Sequence, residues 1–462
     1  MILQKKLIIP AWILFAASIL ISCKKTQDSA ANASTVDSTI IKQKIEDTTL
    51  LISKDFYLWY SQIPTTFNPQ NYADPSEIMV ALRNYSNEPG YSSPVDKWSF
   101  GIKKTDWNQL SGGIGSATNI ASSNGDFGLS VFFKVGGDLR VKLVERESPA
   151  GLAGIHRGWR ITKINGNSDI TTSNATFIVN NVYYSNNSTF TFLKPDGSTV
   201  DITLSADLYT QQPLYLDTVY NEGSKTIGYM VFNSFLGDTT SIFNNFARVM
   251  NYFSAQNVTD LVIDLRYNGG GYVAVQEKLA DYLAPTSANG SLMMTETFND
   301  KHQNYNTSLH FNKIGPLNPN HILFIVSQST ASASELLINN LKPYMDVKLI
   351  GPYSTAGKPV GFFPISVGDW YVFPISFRSL NSAGTGNYFN GLQIDSPVAD
   401  GLDKDWGDTS EASLAKAIKY ITTGSFGRQL PDTYAQAPSV ISGNKILDKP
   451  TFKGSVDTRG LQ

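Results

Sequence analysis

Two side chains with the chemistry of a nucleophile and its base, Ser332 and Lys358, lie 26 positions apart in this 462-residue chain. Ser332 follows an apolar run, residues 321–326, through a loop of small residues, and it precedes a stretch of helical composition, residues 333–341. A serine at a strand-to-helix junction lies at the positive end of the helix dipole, beside backbone N–H groups that can stabilise an oxyanion. Lys358 lies on a glycine-marked loop, and burial can lower the pKa of a lysine towards neutrality, so that it acts as a general base. The two residues predict a Ser-Lys pair that needs no histidine.

Each residue also has an ordinary structural interpretation, because serine is a common helix N-cap and most lysines are solvated. A third segment, residues 264–271 (Asp-Leu-Arg-Tyr-Asn-Gly-Gly-Gly), favours the catalytic interpretation. It follows an apolar run, and its three glycines let the backbone approach a substrate carbonyl and present N–H groups to it. A phosphate-binding loop is the rival interpretation, but the Lys-Ser/Thr ending of a P-loop is absent.

The elements that must position these residues change in character along the chain, which predicts a multidomain α+β protein. Helical patterning over 40–111, with a helix start at Asp74-Pro75-Ser76-Glu77, predicts a small helical amino-terminal domain. Short strands and glycine turns over 112–207 predict a β-rich domain. Alternating strands and helices over 208–425 predict an α/β catalytic core. Residues 426–462 carry little periodicity and are predicted to be a loosely ordered carboxy-terminal tail.

The single cysteine, Cys23, follows what is predicted to be a signal peptide, residues 1–22. The sequence Leu20-Ile21-Ser22-Cys23 resembles the lipobox of bacterial lipoproteins, which implies cleavage before Cys23 and acylation of its thiol. The alternative is an ordinary signal peptide followed by a chance cysteine. Residues 24–39 are polar and aperiodic and predict a flexible tether.

Composition narrows the classes of function and of site. The 37 basic residues against 39 acidic ones give a net charge of −2, which removes the electrostatic case for a nucleic-acid partner. One cysteine excludes an intramolecular disulfide and thiolate metal clusters. No two of the four histidines share a tight ligand spacing, so neither a metal nor a cofactor is predicted.

The segments together resemble the carboxy-terminal processing peptidases, the S41 family of serine peptidases, and specifically its lipoprotein members. The resemblance extends over roughly 120–425 in the order of the family's motifs. The matching segments are residues 228–235, 264–271, 329–335, 357–358, 388–398 and 407–418.

The resemblance implies a role for each matching position. The serine followed by Ala-Ser-Glu is the family's nucleophile, which implies that Ser332 attacks and that Ser329 and Ser334 are only its neighbours. The lysine of the Gly-Lys pair is the family's general base, which is Lys358 here.

The family's oxyanion hole combines a glycine N–H of the Gly-rich loop with the N–H that follows the nucleophile. These groups correspond to Gly270 or Gly271, between which the sequence does not decide, and to Ala333. One departure from the family concerns the residue that would orient the lysine. Lys358 is followed by Pro-Val-Gly-Phe instead of the family's Gly-Thr-Val-Gln. The group that orients the lysine is therefore left open.

The β-rich segment also has a counterpart in the family. Phe127, Gly128 and Leu129 resemble the carboxylate-binding loop of a PDZ domain, and residues 147–166 resemble its later part. A PDZ groove captures a peptide by strand addition while backbone N–H groups hold the terminal carboxylate. The alternative is a PDZ fold kept as a rigid spacer.

The expected function is that of a lipid-anchored serine endopeptidase that recognises protein or peptide substrates near their carboxy termini and reacts through an acyl-enzyme. The first alternative is a non-catalytic peptide-binding lipoprotein of the same fold. The second is a glycan-binding lipoprotein, which would use the 12% aromatic residues but explains none of the Ser, Gly and Lys segments. The expected location is the cell envelope, at the outer membrane, because Lys24 and Lys25 rather than an acid follow the cysteine.

Overall fold

The structure, a computed structural model, describes residues 28–114, 125–427, 447 and 452–458. The predicted signal peptide 1–22 and the predicted lipidation site Cys23 lie outside the described residues. Residues up to Lys44 and residues from Ile45 onward form two separate compact units, and all the packing described below belongs to the second. Within the described ranges, no helix combines the length and the apolar character needed to cross a membrane.

The amino-terminal region is mainly helical, with α1 (Asp28–Phe56), α2 (Pro75–Leu82), β1 (Phe100–Lys103) and α3 (Lys104–Ser111). The predicted start of α2 is confirmed, because the Asp74 side chain caps the helix by accepting from the Glu77 N–H at 3.0 Å. Residues 28–39 of the predicted tether differ from the expectation, since α1 already begins at Asp28. Several alanines in that stretch have high helix propensity and favour extension of the helix.

The β-rich segment forms one antiparallel sheet with strand order β2-β3-β4-β5-β6. Its core uses the alternate residues of the strands, for example Val131 and Phe133 of β2, which pack with Ile178 of the helix α5. The elements are β2 (Leu129–Val135), β3 (Asp138–Val144), α4 (Pro149–Leu152), β4 (Arg160–Ile164), α5 (Ala175–Tyr183), β5 (Asn187–Leu193) and β6 (Thr199–Ser205).

The remaining segment is the α/β part of the chain. Its elements are β7 (Leu214–Glu222), β8 (Lys225–Phe232), α6 (Thr239–Ala255), β9 (Asp260–Asp264), β10 (Gly270–Tyr272), α7 (Val273–Leu283), β11 (Leu292–Phe298), β12 (Thr307–His310), β13 (His321–Ile325), α8 (Ala333–Leu341), β14 (Asp346–Gly351), β15 (Val360–Gly361), β16 (Ile365–Val367), β17 (Trp370–Phe373), β18 (Phe377–Asn381), β19 (Ser396–Pro397), α9 (Ala412–Thr423) and β20 (Gly454–Val456).

A six-stranded sheet with order β19-β14-β13-β9-β8-β7 is the centre of this part, and only β7 is antiparallel to its neighbour. Both faces of the sheet are covered. Met230 and Phe232 of β8 pack in the cluster that contains α6, α7 and α8, whereas Tyr229 and Val231 pack in the cluster that contains α9. Because parallel strands end at one edge, the loops after β9, β13 and β14 lie along the same edge of the sheet. These are the loops that carry the glycines, the serine and the lysine.

Smaller sheets bring the amino-terminal region to that edge. The antiparallel pair β1–β17 extends to β16, and a separate sheet has the order β12-β11-β18-β15. An apolar cluster joins Tyr57 and Trp98 of the amino-terminal region with Phe362 and Phe373 of the segment that follows Lys358. The helical region therefore forms one wall around the lysine.

Candidate active site

Ser332 lies immediately before α8 and is completely buried. Its backbone has φ +59° and ψ −111°, a left-handed conformation that is costly for a residue with a side chain. The Ser332 N–H donates to Glu335 Oε2 at 2.7 Å, which holds this turn in place. Strain that is maintained by a buried hydrogen bond is typical of a functional turn.

Glu335 joins the serine turn to the lysine loop. Its buried carboxylate accepts hydrogen bonds from the Gly357 N–H at 2.7 Å and from the Lys358 N–H at 2.8 Å, in addition to the Ser332 N–H. Burial raises the pKa of Glu335, while these donors oppose that rise. The sequence prediction did not assign Glu335 a role, although an acid three residues after an N-cap serine is the signal for a capping box.

Lys358 is completely buried, and its ammonium nitrogen lies in an aromatic environment. Nζ lies 3.6 Å from the centre of the Phe362 ring and 5.8 Å from that of Trp98, and it donates to the Lys453 carbonyl at 2.9 Å. Burial lowers the pKa of Lys358 well below the ordinary lysine value of 10.5, and the opposing attraction of Asp96 is smaller. A lysine in these surroundings can be a neutral amine and therefore a base.

The glycine loop reaches the serine turn through backbone contacts. Gly270 has φ +103°, and a Cβ placed on it would lie 3.0 Å from the Ala333 nitrogen, so the two main chains touch here. Asn268 supports the loop, because its side-chain Oδ1 accepts from the Gly270 N–H at 2.9 Å and its carbonyl accepts from the Ser334 hydroxyl at 3.0 Å. Sequence reasoning did not single out Asn268.

The structure thus brings Ser332, Lys358 and the glycine loop together at one edge of the central sheet. It also places there a segment that sequence reasoning missed, residues 452–458, whose Ser455 hydroxyl lies 2.7 Å from the Ser332 hydroxyl. This segment belongs to the stretch that was predicted to be loosely ordered. Its strand β20 was not predictable, because three residues of Gly-Ser-Val carry no periodicity.

Residues 226–393 match the family model described as peptidase family S41. This match marks the segment that holds Ser332 and Lys358 as similar to peptidase family S41. This identification agrees with the central sheet and with the order of the segments that carry the serine, glycines and lysine. It confirms the predicted resemblance to S41 peptidases, and the similarity to solved structures confirms the predicted multidomain α+β fold.

Similarity to individual relatives is lower. The chain is 28% identical over 143 residues to the carboxy-terminal processing protease CtpB of Bacillus subtilis (strain 168), which covers 30% of this chain and 28% of that protein. The structure resembles an S41-type protease from Bacteroides fragilis NCTC 9343 with a TM-score of 0.67 and 21% identity, over 82% of this chain and 97% of that one. The photosystem II D1 C-terminal processing protease gives a TM-score of 0.46 and 19% identity, over 77% of this chain and 93% of that one.

A buried charge network is centred on Arg266, just before the glycine loop in sequence. The Arg266 guanidinium donates to Asp264 at 2.7 Å, to Asp400 at 2.9 Å and to Glu411 at 3.0 Å, and all four side chains are buried or nearly so. The Arg266 guanidinium holds the pKa of Asp400 and of Glu411 below the usual range, and Arg157 also lowers that of Asp400. Burial raises the pKa of Asp264. Arg157 enters the network from the β-rich domain and donates to Asp400 at 2.6 Å.

The predicted carboxylate-binding loop lies within the β-rich domain. Phe127 and Leu129 are buried in its core, with exposed fractions of 1% and 2%. The Gly128 N–H donates to the side chain of Asp126 at 2.7 Å, so this donor already has a partner. Binding of a peptide carboxylate by the loop stays a prediction.

Proposed function

We propose that this chain is a lipid-anchored serine endopeptidase of the cell envelope, at the outer membrane, that hydrolyses protein or peptide substrates which it recognises near their carboxy termini. The observation that carries the proposal is that Glu335 bonds to the backbone N–H groups of both a strained, buried Ser332 and a buried Lys358. The match of residues 226–393 to the model of peptidase family S41 supports the same activity. The membrane attachment rests on Cys23 and its lipobox-like sequence.

In the proposed reaction, neutral Lys358 takes the proton of the Ser332 hydroxyl as the serine oxygen attacks the substrate carbonyl carbon. The oxyanion is stabilised by the N–H of Ala333, which as the first residue of α8 has no acceptor within the helix. Gly271 is the preferred second donor, because the Gly270 N–H is already bonded to Asn268. The lysine returns the proton to the leaving amine, which gives an acyl-enzyme, and water then releases the acid.

The direct test is covalent labelling of the chain from residue 24 with a fluorophosphonate, which forms a stable adduct with an activated serine. We expect one adduct, located by mass spectrometry on Ser332, and hydrolysis of an unfolded protein that chelators leave unchanged. A Ser329→Ala protein is the matched control and should label normally, because Ser329 is a partly exposed neighbour. Labelling on another serine, or inhibition by chelators, would contradict the mechanism.

The pH dependence gives a second test. A protonated lysine cannot accept the serine proton, so kcat/KM should rise with pH through the pKa of Lys358 and level off above it. Because burial lowers that pKa well below 10.5, the rise should be complete well before pH 10. Hydrolysis measured from pH 5 to 10, with melting temperatures taken at each pH, checks this. A rise centred near pH 10 would show that Lys358 is not a desolvated base.

A further inference from the structure

We propose that residues 452–458, the tail segment, are the resident ligand of the substrate groove. They occupy it as an extended peptide and lower the activity of the enzyme, because a substrate can enter only when they are displaced. The occupant also indicates what the groove selects, which is an extended chain with an aromatic residue two positions before a glycine. This inference rests on the proposed function, because it assigns the substrate groove of that same site.

The tail segment is bound through its backbone on both sides. Strand β20 runs parallel to β10, and the Gly454 N–H donates to the Gly269 carbonyl at 3.0 Å. On the opposite side, Phe362 donates to the Ser455 carbonyl and accepts from the Asp457 N–H, both at 3.1 Å. Backbone pairing of this kind accepts any extended peptide, so selectivity must come from side chains.

An aromatic pocket supplies that selectivity. The ring of Phe452 lies 5.8 Å from Trp107, 6.1 Å from Phe362 and 6.2 Å from Phe100, measured between ring centres. Val456, on the other side of the glycine, has an exposed fraction of only 1%. Contacts among aromatic rings and burial of apolar surface both favour an aromatic residue at the position of Phe452.

The tail segment also engages the catalytic groups. The Ser455 hydroxyl bonds to the Ser332 hydroxyl at 2.7 Å, and the Lys453 carbonyl accepts from Lys358 Nζ at 2.9 Å. A Cβ on Gly270 would lie 2.4 Å from the Gly454 carbonyl oxygen, so this carbonyl points towards the proposed oxyanion site. The Ser332 hydroxyl thus has Ser455 as its partner and Lys358 Nζ has the Lys453 carbonyl, so the two groups are not aligned with each other for proton transfer. The tail is therefore held and not cleaved.

A second attachment lies in the β-rich domain. The carbonyl of Leu447 accepts from the Tyr183 hydroxyl at 3.0 Å, and its side chain packs into the core of that domain with an exposed fraction of 1%. Two attachments on one chain raise the effective concentration of the tail segment at the groove. A substrate must compete with an occupant that never diffuses away.

The test uses the chain from residue 24 with Gly454→Val. A Cβ at position 454 would lie 2.3 Å from Cζ of Phe452 and 2.6 Å from Cζ of Phe362, so valine should weaken the binding of the strand between these two rings. Phe452→Ala removes the aromatic anchor by a change that cannot clash. The matched control is Thr458→Ala, because Thr458 is exposed on the same segment.

We expect kcat/KM for an unfolded protein, and the rate of fluorophosphonate labelling, to rise at least about tenfold in Gly454→Val, since apparent affinity scales with the fraction of molecules whose groove is open. Phe452→Ala should show a rise in the same direction, and Thr458→Ala should match the unsubstituted chain. A blocked peptide of residues 450–458 should inhibit Gly454→Val, and the same peptide with Phe452→Ala should inhibit it far less.

The outcomes separate the two proposals. If the unsubstituted chain cleaves and labels as fast as Gly454→Val and Phe452→Ala, the tail segment is not an inhibitor, although the proposed function stands. If none of these proteins cleaves or labels, the proposed function itself fails. An intact mass that shows spontaneous cleavage within 452–458 would overturn the inhibitory role and make the segment a substrate. If Gly454→Val melts below the assay temperature, Phe452→Ala decides by the same criteria.

Discussion

Lys358→Met is expected to abolish peptide-bond hydrolysis while leaving the free energy of unfolding unchanged or increased. Methionine matches the length of the lysine stem but has no amine to accept the serine proton. Loss of the base should lower kcat by at least about a thousandfold, within the range for residues that activate a nucleophile. Burial lowers the pKa of Lys358, which means that folding disfavours its ammonium form, and an apolar replacement removes that cost.

The measurement combines the hydrolysis rate with urea unfolding, and it includes Ser332→Ala as a companion. Because the serine and the lysine act in one step, each single substitution should cost about as much activity as the double one. Lys348→Met is the matched lysine control, since Lys348 lies on β14 and is partly exposed to solvent. Residual activity above one tenth in Lys358→Met would exclude this residue as the base. Because Gly454→Val is expected to have a higher kcat/KM, the same comparison can be repeated in that variant.

Arg266→Met is expected to destabilise the chain by about 3–5 kcal/mol, the usual consequence of removing one partner from a buried ionic network. The substitution leaves Asp264, Asp400 and Glu411 buried with only Arg157 as a cationic partner in the network. Their charges would then have to be neutralised by protonation or exposed to water. Because Arg266 lies two residues before Asn268 and three before the Gly269–Gly271 loop, activity should fall in the folded fraction as well.

The control for this prediction is Arg248→Met, which removes a more exposed ion pair. The side chain of Arg248 is 53% exposed and pairs with Asp217 at 2.6 Å, so its loss should cost less than about 1 kcal/mol. Urea unfolding of both variants at neutral pH gives the comparison. Equal losses for the two arginines would mean that the buried network contributes no more than a surface pair.

Sequence reasoning selected those residues of the candidate site whose proposed role follows from local pattern. Ser332 and Lys358 lie next to predictable elements, an apolar strand with a following helix and a glycine-marked loop, and parallel strands bring such loops to one edge. Asn268 and Glu335 were missed as supporting residues, because their value lies in hydrogen bonds to backbone atoms that are distant in sequence. Residues 28–39 begin a helix that their lack of apolar periodicity did not predict.

By itself the sequence limited the chemistry on offer, since one cysteine and four scattered histidines favour a hydroxyl as the nucleophile of any covalent catalysis. It also indicated the resemblance to peptidase family S41, through motifs whose order survives low identity. Only the tertiary structure decided whether Lys358 is desolvated, because burial depends on Trp98, which is distant in sequence, as well as on the nearby Phe362. Likewise, only the tertiary structure revealed that residues 452–458 lie against Ser332. Their short backbone pairing carries no sequence pattern, and a groove that accepts any extended strand is recognised only when an occupant lies in it.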